Sequence, residues 1–134
     1  MRHKTVVALL VALATACGSS KPETADLRAF GNEPFWNVIL SANDGIVYGR
    51  LGEADISFPY QAPREAVGDP TSLVFGPVRD STRRHQIEVQ VTDLECPDTM
   101  ADAIHPMRAR VILDGEELLG CARALDEAPP GERP

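Results

Sequence analysis

The apolar residues of the chain recur with a period of two through its middle, the pattern of a strand with one buried face. In "WNVIL", residues 36–40, Trp36, Val38 and Leu40 share a face. "IVYGRL", residues 46–51, is rich in the β-prone Ile46, Val47 and Tyr48. "DISFPY", residues 55–60, puts Ile56, Phe58 and Tyr60 together, and Pro59 marks a sheet edge or strand end. "SLVFGPV", residues 72–78, reads as a short strand broken at Gly76–Pro77. "HQIEVQVTD", residues 85–93, alternates most cleanly, with Ile87, Val89 and Val91 inward and Gln86, Glu88 and Gln90 outward. "MRARVILDG", residues 107–115, sets Met107, Ala109, Val111 and Leu113 against Arg108 and Arg110, and "EELLGCA" returns as a last strand. Asp44–Gly45 and Asp114–Gly115 are turn signals, because they supply the positive φ angles of tight hairpins. The reading is all-β, with about six to eight short strands in a small antiparallel meander that closes into a barrel or compact sandwich. The only helical signal is one turn in "PDTMADAI", residues 97–104, with Asp98 as its cap.

The ends read differently. Arg2, His3 and Lys4 precede an apolar run, Val6 to Ala14, which is too short for a membrane span of about 20 residues. Ala14, Thr15, Ala16 and Cys17 follow, the layout of a secretory signal. The small-small-Cys ending resembles a bacterial lipobox. That resemblance implies cleavage before Cys17 and acylation there, and stable anchoring takes more than one acyl chain. In a Gram-negative cell, Gly18 at the next position resembles a signal for the outer membrane, facing the periplasm. The expected organisation is a signal peptide over 1–16, the lipidated Cys17 and a flexible tether over 17–28, a β domain over 29–125, and a disordered tail over 126–134 with three prolines.

Charge and cysteines narrow the function. Without Arg2 and Lys4, 11 basic residues face 20 acidic ones, a formal charge of about −9. Such a balance disfavours nucleic acid, whose binding relies on Lys and Arg, and suits a cationic envelope protein as partner. With Cys17 assigned to lipid, Cys96 and Cys121 are an even pair in an exported protein, which favours a disulfide. The competing reading is a copper(I) site from Cys96, Met100, His105 and Met107, but the spacing matches no strong metal signature. No nucleophile motif such as GxSxG appears, so neither catalysis nor a cofactor is expected.

Three motifs stand out: "FGNEPFW" at residues 30–36, "CPDTMADAIHP" at 96–106 and "GCA" at 120–122. Together they resemble a family of small bacterial lipoproteins with G-N-E-P-F-W, C-x-D-x-M-S-D-x-x-Y-P and G-C-A motifs, whose members are sometimes joined to a c-type lysozyme inhibitor domain. Ala101 stands where serine is usual and His105 where tyrosine is usual, which gives His105 the role of an aromatic wedge rather than a metal ligand. The resemblance implies a lipid-anchored, non-enzymatic envelope protein with a binding or structural role. A lysozyme inhibitor is one alternative, although the domain has no lysine after Lys21, and a copper-binding module is another. In "FGNEPFW", Gly31 and Pro34 are expected to bend the chain into the first strand, and Glu33 to hold that loop by hydrogen bonds. Trp36 either plugs the barrel or, with Glu33 and Phe35, forms a binding mouth.

Overall fold

The structure, a computed structural model, describes residues 25–130. The expected signal peptide and Cys17 lie outside the described residues. Eleven strands follow one another: β1 (Leu27–Asn32), β2 (Phe35–Ser41), β3 (Gly45–Arg50), β4 (Ile56–Phe58), β5 (Arg64–Ala66), β6 (Asp69–Arg79), β7 (Gln86–Thr92), β8 (Cys96–Asp98), β9 (Ala103–His105), β10 (Met107–Leu113) and β11 (Glu116–Ala124). Nine of them form one antiparallel sheet in the order β4-β3-β2-β1-β11-β10-β7-β6-β5, curled into a half-barrel. β8 and β9 pair separately as a small hairpin. The all-β antiparallel reading therefore holds.

The period-two faces do what their pattern demands. Trp36, Val38 and Leu40 of β2 are buried with Ile46 and Tyr48 of β3, Ile87, Val89 and Val91 of β7, and Val111 of β10, in a single core lined by both halves of the sheet. The rings of Tyr60, just after β4, and Phe75 of β6 meet at 6.4 Å, so the curl brings the two ends of the sheet together through side chains. In β6 the register shifts between Phe75 and Val78. That bulge lets residues an odd number of positions apart both face the core, and Gly76 supplies its positive φ of 93°. Asp114 and Gly115, at φ 51° and 86°, make the tight β10–β11 turn that their sequence announces.

Three expectations need correction. The sheet begins at Leu27, not after residue 28: Leu27 is buried opposite Leu40, and the Asp26 carboxylate accepts a 2.8 Å hydrogen bond from Ser41. One apolar residue in a polar run carries no period, so the strand was hidden. The expected helical turn in residues 97–104 is the β8–β9 hairpin, and Asp98 caps its turn instead, accepting from the Met100 and Ala101 N–H groups. An aspartate at a helix start and one in an Asx turn bond backbone N–H groups alike, so the signal was ambiguous. Of the expected tail, residues 126 and 127 belong to a turn at the end of β11, closed by the Glu127 N–H donating to the Ala124 carbonyl.

Candidate binding face

The side of the sheet away from the core carries the features that the core does not need. Phe30 of β1 and Cys121 of β11 are register partners on this outer side. Cys121 is bonded to Cys96 of β8, 25 positions earlier in sequence, so the disulfide fastens the β8–β9 hairpin onto the sheet. Three further contacts seat it. The Asn32 amide donates to Asp98 Oδ1 at 2.9 Å. The His105 ring meets Phe30 edge-on at a centroid distance of 4.7 Å, the wedge role expected of it. Arg108 Nε donates to the Glu95 carbonyl at 3.0 Å, holding the strand that leads into the hairpin.

Asp98 is the polar centre of this seat. Burial alone would push its carboxyl pKa up. The N–H groups of Met100 and Ala101, the Asn32 amide and His105, whose Nε2 lies 3.6 Å away, outweigh burial and hold it below the ordinary aspartate value. The other ring nitrogen of His105, Nδ1, is buried without a hydrogen-bond partner among the described residues.

Standing off the sheet, the hairpin divides the outer face into two grooves. The first, about 710 Å³, runs toward β7 and is lined by Gln90, Thr92, Arg108, Arg110, Leu119 and Met100. The second, about 600 Å³, lies over β1–β3 and is lined by Arg28, Phe30, Phe35, His105, Arg123 and Pro130, among others. Gly49 opens its floor, because a Cβ there would come within 2.9 Å of Asp55 and 3.0 Å of Asn37. Five arginines line the two grooves (Arg28, Arg50, Arg108, Arg110 and Arg123) against three carboxylates (Glu33, Asp55 and Asp98). Two of these arginines, Arg50 and Arg110, are paired with Glu116 and Glu117, which leaves Arg28, Arg108 and Arg123 with no carboxylate in salt-bridge distance among the described residues.

The residues of "FGNEPFW" separate in space. Trp36 is only 3% exposed, whereas Phe35, one position before it, is 50% exposed and lines the second groove. Glu33 sits exposed in the β1–β2 turn and lines the first groove. Asn32, and not Glu33, makes the hydrogen bond that ties this turn to the hairpin. Gly31 is not a bend either; it is a β1 residue opposite Trp36. A Cβ on Gly31 would lie 2.3 Å from Trp36 Nε1, and one on Gly120 would lie 1.9 Å from the Phe30 carbonyl and 3.0 Å from the indole. The tryptophan thus occupies space left by two glycines, one from the "GNEPFW" motif and one from "GCA". Above it, Arg50 and Glu116 pair at 2.8 Å.

The copper set does not converge. Cys96 is in the disulfide, Met107 packs against the core, and Met100 is exposed at the hairpin turn. Among the described residues, no three His, Cys, Asp or Glu side chains are placed to hold a metal ion. No family model, curated protein or solved structure matches the chain.

Proposed function

We propose that this protein is a lipid-anchored, non-enzymatic binding domain of the bacterial envelope that holds a protein partner on its hairpin-bearing outer face. The observation that carries this is the distribution of exposed apolar side chains. Ile104 lies on the hairpin itself, Met100 and Leu119 border the first groove, and Phe35 and Leu51 border the second, all at least 50% exposed. An apolar group of this kind, rimmed by arginines and backed by a disulfide-fixed element, has the make-up of an interaction surface. A non-enzymatic role agrees with the two histidines of the domain: His85 pairs with Asp114 at 2.7 Å, and His105 is wedged between Phe30 and Asp98. The anchor and the periplasm-facing outer-membrane location rest on Cys17 and Gly18 of the lipobox-like segment. The test is a photo-crosslinking residue placed in cells at Ile104 and, as a control, at Val67, which is fully exposed between β5 and β6. Adducts should concentrate at Ile104. Equal yields at both positions would refute a docking face around the hairpin.

A further inference from the structure

Arg28 of β1 and Arg123 of β11 are direct register partners, on the face that also bears Phe30 and Cys121. Like charges set opposite each other on adjacent strands destabilise a sheet. Elsewhere in the sheet Arg50 is paired with Glu116, Arg64 with Glu88, and Arg110 with Glu117. Arg79 and Arg108, without a salt-bridge partner among the described residues, face the uncharged Gln86, Thr92 and Cys121 across their strands. Neither Arg28 nor Arg123 has a carboxylate within salt-bridge distance among the described residues, in a chain where acidic residues outnumber basic ones. Arg123 is 8% exposed; its Nη1 donates to the Glu127 carbonyl, and its Nε is buried with no partner among the described residues. A desolvated guanidinium with unused donors is costly unless an anion meets it. Both arginines line the second groove.

Along that groove the chemistry changes from charged to apolar. Phe30 follows Arg28 at the next outer position of β1, and Phe35 lies opposite Asn32, four residues from Arg28. At the rise of a strand, that places Phe35 about 13 Å from the arginine pair. Asp55 and Asp98 line the same groove and would repel a dianion, so a singly charged group fits better than a phosphate.

We infer that the second groove binds an acidic, apolar peptide segment, its carboxylate clasped between Arg28 and Arg123 and an apolar side chain resting on Phe35. This deepens the proposed function by giving the partner's chemistry at one groove, and it rests on that reading. A peptide is the natural occupant because a span of about 13 Å corresponds to roughly four extended residues.

The test uses the peptides acetyl-Leu-Ala-Ala-Ala-Asp-amide and acetyl-Leu-Ala-Ala-Ala-Asn-amide, which differ in one charge, titrated into the mature domain and followed by calorimetry and amide chemical shifts. The aspartate peptide should bind about tenfold tighter, as expected of one charge-assisted interaction. Its shifts should centre on Arg28, Arg123 and Phe35. Arg28→Gln, at an exposed position, should erase the preference while leaving the fold intact. Without peptide, Arg28→Glu should raise the melting temperature, by giving Arg123 the carboxylate it lacks. Equal affinity for the two peptides, a preference that survives Arg28→Gln, tighter binding of inorganic phosphate than of the aspartate peptide, or a lower melting temperature for Arg28→Glu would each overturn the inference. Adducts at Ile104 alongside equal peptide affinities would sink the carboxylate site and leave the docking face standing. The reverse result would sink the face and leave the site.

Discussion

Trp36 accounts for two glycines that lie 89 positions apart in the chain. Its indole fills the space beside Gly31 and Gly120, where no Cβ can stand. Trp36→Ala empties that space and should cost about 3–5 kcal/mol, read from the shift of a urea unfolding curve. The single tryptophan should emit at short wavelength in the native domain and shift to the red on unfolding. Gly31→Ala and Gly120→Ala should both destabilise, but they should respond differently to a smaller side chain at 36. Trp36→Leu removes the atom nearest the new Cβ of Gly31→Ala, so that pair should be non-additive, with the second change costing less. It cannot relieve Gly120→Ala, whose nearest obstacle is the Phe30 carbonyl. A purely additive loss in the Gly31 pair would show that the indole does not sit against that glycine. Alternation alone pointed Trp36 inward. Its seat was not legible, because the contacts are made across strands that are distant in sequence. The eye is drawn to Glu33 as the only charge in "FGNEPFW", yet the hydrogen bond belongs to the uncharged Asn32 beside it.

At the scale of elements, strands with a repeating apolar face announced themselves, the short β4 among them through Ile56, Phe58 and Tyr60, and strands without one, such as β1, β8 and β9, did not. β7 and β10 each have seven residues, enough for a face to repeat. β8 and β9 have three each, and no apolar residue recurs at alternate positions in either. The hairpin they form is held by one covalent bond and a few polar contacts, so it should be the first part of the domain to let go. Replacing both Cys96 and Cys121 by serine removes a cross-link whose stabilisation is about 3–4 kcal/mol on a chain-entropy argument. Hydrogen exchange should then quicken at residues 96–105 well before β2, β7 or β10. Uniform loss of protection would mean that the hairpin and the sheet unfold as one unit.

Acid should act on the same element. The Asp98 carboxyl has a folded pKa below its unfolded value, which is about 3.9. Its contribution is complete above the unfolded pKa and is lost as pH falls through the lower folded value. Asp69, Asp80 and Asp114 are displaced in the same direction, each first by a side-chain hydrogen bond: Ser72, Thr82 and His85 respectively. Stability measured from pH 6 to pH 2 should therefore decline below about pH 4. Asp98→Asn should start lower at pH 6 and fall less steeply. A variant with an acid limb parallel to the native one would remove Asp98 from this account.

On the scale of the whole molecule, the sheet divides labour between its two sides. The inner side is an apolar core with Trp36 at one end, and the outer side carries the hairpin and both grooves with Arg28, Arg108, Arg110 and Arg123. A lipid on Cys17 would hold this outer side within reach of the membrane: Leu27 is ten positions after Cys17, at most about 35 Å of extended chain. Tethering of that kind raises the local concentration of a partner in the same membrane without adding a contact. The anchor and the docking face should then be separable. Cys17→Ser should leave the membrane fraction, lose most of its Ile104 adducts in cells, and recover them in vitro when the purified domain and its crosslinked partner are mixed at high concentration. If Cys17→Ser still sediments with membranes at high salt, the lipid is not what holds the protein there. If it leaves the membrane but forms adducts in cells as efficiently as before, the partner is not confined to the membrane, and the anchor serves something other than docking.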